Sequence, residues 1–500
     1  MVTPERVPPE SVTRLTCAFN GAPAGLGMVR MPIGRLLKLR AGVALAALII
    51  GHAVTTPALA DTIEAALIRA YQNNPQLNAQ RASVRSTDET VPTALSGYRP
   101  RVAITASAGT QYTDTQTNLS SGSTLTTSRI YGVNAPRSVG ATVSQTLYNG
   151  GQTGNRTRAA ESQVSAAREG LRVLEQTVLL AAATIYMDYL RDAAIVEVQR
   201  SNTRVLEQTL KQTRDRFNVG EVTRTDVAQS EAQLAAGRTQ LLTAESNLTT
   251  TRANFRRIIG NDPVALAAGS PVDRYLPPSL MAAVDLGLIE NPNVTAAMYG
   301  IDVSFLTVKV NEGALFPTVT LQGGVQQSYE STMSLYRSFG ASAVAQVTIP
   351  VYQGGAEYAL IRQSKESLAQ QRLTLEQVRD QTRATVAQAW GQLVAGKAQV
   401  SSAQSQVTAS EIALNGVREE ARVGQRTTLD VLNAQQALVN ARVALVTAQH
   451  DRVVASYSTL NAIGRLSPTV LNLATTVYDP SVHYQQVRDS WGGVRTPDGR

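Results

Sequence analysis

A single cysteine, Cys17, stands in the 500 residues, and it falls within the first sixty. Downstream there is neither a disulfide framework nor a thiolate metal site. Histidine is as scarce: His52, His450 and His483 are the only three, in unrelated settings. With no Gly-rich phosphate loop and no metal-ligand cluster, nothing points to catalysis, a bound metal or a cofactor. Aromatic residues make up only 5% against 43% hydrophobic, so the apolar fraction is mostly Ala, Val and Leu. That composition suits long helices better than one thick core. Half of the formal charge of +8 lies in the first sixty residues, where Arg6, Arg14, Arg30, Arg35, Lys38 and Arg40 stand against Glu5 and Glu10. Beyond them the signs nearly balance, which argues against a nucleic-acid partner. After residue 60 the longest apolar run is Val178–Met187. A spanning helix needs about 20 apolar residues, so any membrane insertion has to use strands.

Residues 1–60 read as a leader with an export signal. Arg30, Arg35, Lys38 and Arg40 precede the apolar run Ala41–Ile50, and Ala58-Leu59-Ala60 gives a small-residue exit before Asp61. These are the basic, apolar and cleavage regions of a secretory signal. The mature chain is expected to start at Asp61, without a lipid-modified cysteine.

The rest is a tandem duplication. Asn74-Pro75 recurs as Asn291-Pro292 and Pro100 as Pro317, both 217 residues on. Tyr148-Asn149-Gly150-Gly151 recurs as Tyr352-Gln353-Gly354-Gly355, and Val219-Gly220, Asp226 and Ile259-Gly260 recur as Val423-Gly424, Asp430 and Ile463-Gly464, all 204 residues on. Ordered landmarks sharing two spacings mark a repeated unit with one insert in its first copy. The expected organisation is a first repeat over 61–262, a linker over 263–279, a second repeat over 280–466 and a flexible tail over 467–500.

Each repeat reads as helix, two strands and a long helical hairpin. Alternation places strands at 101–113 and 139–148, then at 318–327 and 339–352, with period two over about the length that crosses a bilayer. The links 113–138 and 328–338, rich in Ser, Thr, Gly and Asn, read as exposed hairpin loops. An ordinary soluble hairpin would show the same weak, Ala-heavy alternation. Four strands cannot close a barrel, since the smallest membrane barrels have about eight. Strands placed in lipid therefore require several chains to share one barrel.

The hairpins are expected over 155–259 and 356–463. Proline-free helix over residues 155–217 would reach about 95 Å. The returning helices carry a seven-residue series, Val227, Leu234, Leu241, Leu248 and Phe255, matched by Val431, Leu438 and Leu445 with Ala434, Ala441, Ala448 and Ala455. Large residues alternating with Ala form a coiled-coil seam. Both tips share the pattern Val-Gly-x-x-Thr-x-x-Asp: Val219, Gly220, Thr223 and Asp226, then Val423, Gly424, Thr427 and Asp430. Gly supplies a left-handed helix end, and Thr223 and Thr427 fit the N-cap of the next helix with an aspartate three residues on. Helix capping alone is reason enough for both aspartates.

The duplication, the Tyr-x-Gly-Gly strand exits and the paired tips resemble the TolC family of outer-membrane efflux proteins over nearly all of residues 61–466. The resemblance implies a mainly α fold with membrane β: a homotrimer whose twelve-stranded outer-membrane β-barrel, set in outer-membrane lipid, continues into a twelve-helix periplasmic α-barrel. It implies the exit duct of a tripartite efflux pump or type I secretion system, opened when a periplasmic adaptor, coupled to an inner-membrane transporter, contacts the tips. Asp430 matches the aspartate that rings the closed aperture, and Asn433 stands where members often carry a second acid. Arg426 matches the arginine that latches the second hairpin to the first, with Thr225 and Asp226 as its expected partners. Ala421 replaces a latch tyrosine of some members, and Arg418 and Thr209 replace an acid–amide contact, so a loosely held gate is expected. Val219, Gly220, Val423 and Gly424 are the expected adaptor contacts. A periplasmic adaptor would have one long hairpin between small β domains, and a coiled-coil stalk would need neither strands nor duplication.

Overall fold

The computed structural model describes residues 61–331 and 337–499. The export-signal reading of residues 1–60 lies outside the described residues.

Chemistry at the Asn-Pro landmarks starts each repeat. Asn74 ends α1 (Ile63–Asn73) and caps α2 (Pro75–Asp88), its side chain accepting from the N–H groups of Gln76 and Leu77 at 2.9 and 3.2 Å. Asn291 does the same between α6 (Leu280–Glu290) and α7 (Pro292–Gly313), accepting from Asn293 at 2.9 Å. In both, proline occupies the first helical position, where its missing N–H costs nothing. A short α3 (Thr90–Leu95) follows α2.

In the first repeat the strands are β1 (Arg101–Ala108), β2 (Gln111–Ser121), β3 (Thr124–Asn134) and β4 (Arg137–Asn149); in the second they are β5 (Thr318–Tyr329) and β6 (Arg337–Thr348). The four-stranded antiparallel sheet has the order β1-β4-β5-β6, while β2 and β3 form a separate ribbon. Three expectations need correction here. The first strand ends at Ala108 and not at 113, because the chain breaks at Gly109 before the ribbon begins. The link 113–138 is not a loop: β2 and β3 pair along their whole length around Gly122, whose φ of +65° makes the reversal. Its threonines, taken for loop composition, are β-branched and favour extended backbone. The last strand stops at Thr348 and not at 352, because Pro350 has no N–H to give to a ladder.

Helix pairs then leave the sheet. α4 (Gln152–Asn218) and α8 (Ala356–Arg422) each have 67 residues, and α5 (Arg224–Ile259) and α9 (Thr428–Ile463) each have 36. At 1.5 Å per residue the longer pair reaches about 100 Å. Each long helix packs along its own returning partner, and α4 also packs on α7 and α9, which joins the repeats. Gly150, at φ +65°, makes the joint between β4 and α4; a Cβ there would run into the Gly313 carbonyl.

The main core lies where the short and long helices meet. Leu67, Tyr71, Leu179, Tyr186, Phe255, Tyr457 and Leu460 are buried there together with Val272 of the linker. The linker is tied down by Asp61, whose N–H donates to the Ala265 carbonyl at 2.9 Å while its carbonyl accepts from Ala267 at 3.0 Å. Of the tail expected to be flexible over 467–500, the part over 467–490 is instead docked. Leu471 and Leu473 enter the core, and α10 (Ser481–Val487) sets His483 Nδ1 2.9 Å from the fully buried Asp88 carboxylate. Burial of these apolar side chains outweighs the polar composition of the segment, and the hydrogen bond between His483 and Asp88 fixes its course.

Candidate functional site

The two tips close with the same hydrogen bonds. Gly220 and Gly424 both adopt φ +81°. At the first tip the Glu221 N–H donates to the Arg216 carbonyl at 2.9 Å and the Gly220 N–H to that of Phe217 at 3.0 Å. At the second, Gln425 donates to Glu420 at 2.9 Å and Gly424 to Ala421 at 3.3 Å. This paired closure needs a left-handed residue, which glycine adopts without strain. Val219 and Val423 are left 72% and 71% exposed, and Phe217 and Leu429 beside them are exposed too, so each tip presents apolar side chains to solvent.

The returning helices begin with reciprocal caps. Thr223 accepts from the Asp226 N–H at 3.3 Å, and the Asp226 carboxylate accepts from the Thr223 N–H at 2.9 Å and hydroxyl at 2.7 Å. Thr427 and Asp430 repeat this at 3.2, 2.9 and 2.9 Å. The Thr427 N–H and hydroxyl, with Arg426 nearby, hold the Asp430 carboxyl below the usual carboxylate range. Asp430 is therefore a fixed negative charge at neutral pH, and exposed Asn433 follows one turn along the same face of α9.

Within this chain Arg426 does not reach Thr225 or Asp226. Its Nε donates to Glu420 Oε2 at 2.9 Å, across the turn of its own hairpin. The reason is local: the Asp226 carboxylate is engaged by its own cap, while Glu420 sits opposite Arg426 in the helix that leads into the turn. Arg418 likewise donates to Gln435 Oε1 at 3.0 Å and not to Thr209. Arg426 does face the first hairpin across an open cleft of about 760 Å³, lined by Thr209, Asp215, Arg216, Arg418, Arg422 and Thr428 among others. Of its four guanidinium groups, Arg216 lies 3.8 Å from Glu221, Arg422 2.9 Å from Glu419 and Arg426 2.9 Å from Glu420, while Arg418 is hydrogen-bonded to the neutral Gln435, so the charges in and around the cleft nearly balance.

Contacts that do cross between the hairpins were not visible in the sequence. Gln233 on α5 donates to Gln436 on α9 at 3.1 Å, and Gln435 on α9 donates to Asn202 on α4 at 3.4 Å. Leu432 of α9 is buried among Leu206, Leu210 and Leu234 of the first hairpin. The one available signal was Leu432 itself, a large apolar residue directly after the seam position Val431.

At the other end, cross-strand register sorts the sheet into two faces. Val102, Ile104 and Ala106 oppose Val143, Ala141 and Val139; these oppose Gly323, Val325 and Gln327, which in turn oppose Ala343, Ala341 and Phe339. The other face carries Thr105, Ser107, Ser138, Thr142, Ser144, Thr320, Gln322, Gln326, Ser338 and Ser342. Both faces are open in the single chain, since all eight residues of β1 are exposed, and on the apolar face Ile104 is 78% and Phe339 69% exposed. Among the described residues no strand lies beyond the outer edges of β1 and β6.

A family model described as outer membrane efflux protein matches residues 66–261 and 283–465, the two repeats in turn. The chain belongs to this family. It is 41% identical over 461 residues to the outer membrane efflux protein BepC of Brucella suis, covering 92% of this chain and 97% of that one. To the outer membrane protein TolC of Vibrio cholerae it is 26% identical over 80% of this chain and 90% of that one. Among solved structures, the Campylobacter jejuni CmeC outer membrane channel aligns with a TM-score of 0.71 at 15% identity, covering 85% of this chain and 89% of the channel. That likeness, like one to CusC at a TM-score of 0.69 and 17% identity, covering 81% and 92% of the two chains, shows the shared fold. As an outer membrane efflux protein the chain is a transport protein and not an enzyme, with its sheet in the outer membrane and its helices forming the large periplasmic part.

Proposed function

We propose that three copies of this chain form one duct, the exit channel of a tripartite efflux pump or type I secretion system, opened at its tips by a periplasmic adaptor coupled to an inner-membrane transporter. The observation that carries this is the sheet. Its four strands have one apolar and one polar face with both edges open, so a closed wall requires identical neighbours, β6 of one chain pairing with β1 of the next. Apolar residues then meet outer-membrane lipid and the Ser, Thr and Gln face lines the lumen. Relatives named for export on different scales, the pyoverdine export protein OpmQ and the alkaline protease secretion protein AprF, both of Pseudomonas aeruginosa, fit a duct whose wall does little of the selecting.

At the periplasmic end, Asp430 supplies a ring of three negative charges with Asn433 one turn on, making the mouth less acidic than one with two acidic rings. The gate is lightly held. Toward the tips, two neutral amide bonds, each contributing about 0.5–1.5 kcal/mol, and one buried leucine join the hairpins within a chain. Arg426, held by Glu420 of its own hairpin, faces the first hairpin across the cleft without bonding to it. An adaptor hairpin with small apolar residues fits the exposed Val219 and Val423 beside Gly220 and Gly424.

Outer-membrane fractionation followed by gel analysis with and without heating tests the reading. A trimer band that collapses on heating, and conductance in a planar bilayer that rises when the adaptor is added, are the expected results. A stable water-soluble monomer would overturn it.

A further inference from the structure

The C-terminal segment climbs from the core to the base of the sheet. Tyr478 N–H donates to the Tyr71 hydroxyl at 3.1 Å, and His483 meets Asp88 on α2. Arg488 then pairs with Glu161 on α4 at 3.3 Å. Arg99, two residues before β1, donates to the Ser490 carbonyl, and its guanidinium lies 4.8 Å from the Trp491 ring centroid. These contacts fix the path of the segment, yet what it delivers is uncovered: Trp491 is 74% and Val494 100% exposed. Tyr98 is exposed beside them, and Arg101 opens β1 directly below Val102, where the apolar face of the sheet begins.

We infer that the segment from Arg488 to Gly499 is an interfacial anchor that sets Trp491 and Val494 into the phospholipid headgroup boundary of the periplasm-facing leaflet. Three observations converge on that occupant. An indole fixed by a cation–π contact and left otherwise open suits a boundary with one wet and one apolar side. It is held by Arg99, three residues before Val102, where the apolar sheet face begins. Around it stand Arg99, Arg488 and Arg495 with Asp489, Asp498 and Glu161, Arg488 pairing with Glu161 and Arg85 lying 3.8 Å from Asp498. Arg99, bonded to the neutral Ser490 carbonyl and the indole, is the cation placed to complement lipid phosphates, its stem lying along apolar surface and its head in the polar layer. The anchor would fix the depth of the duct from the helical side, next to the open strand β1.

This inference rests on the proposed membrane barrel, and the composition of the chain allows the two to be tested separately. Only two tryptophans are present, and Trp390 lies far along α8 from the sheet. The full-length Trp390→Phe trimer, reconstituted into vesicles of phosphatidylcholine and phosphatidylglycerol with brominated acyl chains, reports on Trp491 alone. Loss of most of its emission relative to unbrominated vesicles, with a blue-shifted maximum, is the expected result. Unquenched emission overturns the anchor: red-shifted if the segment stands in water, blue-shifted if a neighbouring chain covers it. In the Trp390→Phe, Trp491→Phe background, Phe339→Trp puts the only indole on the apolar sheet face. Quenching there without quenching of Trp491 defeats the anchor alone, whereas no quenching at residue 339 defeats the barrel reading itself.

Discussion

His450 on α9 places its Nε2 2.9 Å from Asp188 on α4, a charge contact between the two repeats. The N–H is angled off the oxygen, so the attraction is through charge more than through a directed hydrogen bond. Its other ring nitrogen, Nδ1, lies 2.8 Å from Asp451. Burial pulls the imidazole pKa down and Arg191 adds to this, but the Asp188 and Asp451 carboxylates outweigh both, and the net shift is upward.

A pH dependence follows from that direction. A histidine whose folded pKa is raised contributes stability that is fully present below its ordinary value near 6.5 and is lost as pH rises through the higher folded value. The contact between α4 and α9 should therefore be firmest in mildly acidic medium. Thermal denaturation of the trimer across this range should show stability falling toward alkaline pH, with a flatter profile for His450→Gln. Parallel profiles would mean that the His450 pKa does not differ between the folded and unfolded states.

Capping and aperture charge at Asp430 can be separated by two substitutions. Asp430→Asn keeps an oxygen to accept from Thr427 but removes the charge, so cation selectivity should drop with little change in melting temperature. Thr427→Ala removes the cap while leaving the carboxylate, at a cost of about 1 kcal/mol at that helix start. Selectivity measured by reversal potential in a planar bilayer, beside a melting curve for each variant, distinguishes the roles. Equal selectivity in Asp430→Asn and the parent would leave Asp430 as a cap alone.

How far the sequence reached depends on the range of the interactions involved. The tips were legible because their chemistry is local: Thr427 and Asp430 are three residues apart, and Gly424 ends a helix whatever else it touches. Strand pairs were legible by alternation, but the threonine-rich ribbon after Gly109 was not, since the same residues serve loops and strands. The tail was misjudged because its anchors are remote in the chain; His483 meets Asp88 only once both repeats have folded. Arg426 lies beside the second tip, and its reach to Glu420 in preference to Asp226 is a matter of side-chain geometry that spacing does not encode.

The latch can be dissected by charge exchange. Arg426→Glu should raise conductance in a planar bilayer, because it sets two acids against each other at the turn. If the pair with Glu420 is what holds the turn, adding Glu420→Arg should restore the parent conductance. Failure of that rescue would place the functional partner of Arg426 on a neighbouring chain. Both side chains are largely solvated, so the effect should also shrink in high salt.

Leu432 tests the apolar part of the gate independently. Truncation to Ala leaves a cavity among Leu206, Leu210 and Leu234 and should cost about 2–4 kcal/mol, more than either amide bond across the hairpins. The second hairpin would then separate more easily from the first, giving higher resting conductance and a smaller further rise on adding adaptor. Gln436→Ala, which removes one neutral hydrogen bond, should produce a weaker form of the same change. An unaltered channel in Leu432→Ala would show that contacts between chains, and not those within one, keep the aperture closed.

Tail docking predicts a protease pattern. Asp88 is fully buried, and His483 is its hydrogen-bonded partner, with Arg168 3.8 Å away. His483→Ala leaves that carboxylate short of a donor, a loss of about 1–3 kcal/mol concentrated in the contact between α10 and α2. Since α10 has only seven residues and cannot persist alone, the segment beyond Leu473 should then open as a unit. Trypsin should cleave the variant at Arg488 well before it cleaves the parent, while the hairpins resist in both. If Arg488 is cut equally fast in the two proteins, the His483–Asp88 pair does not hold the tail, and the apolar contacts of Leu471, Leu473 and Val487 hold it instead.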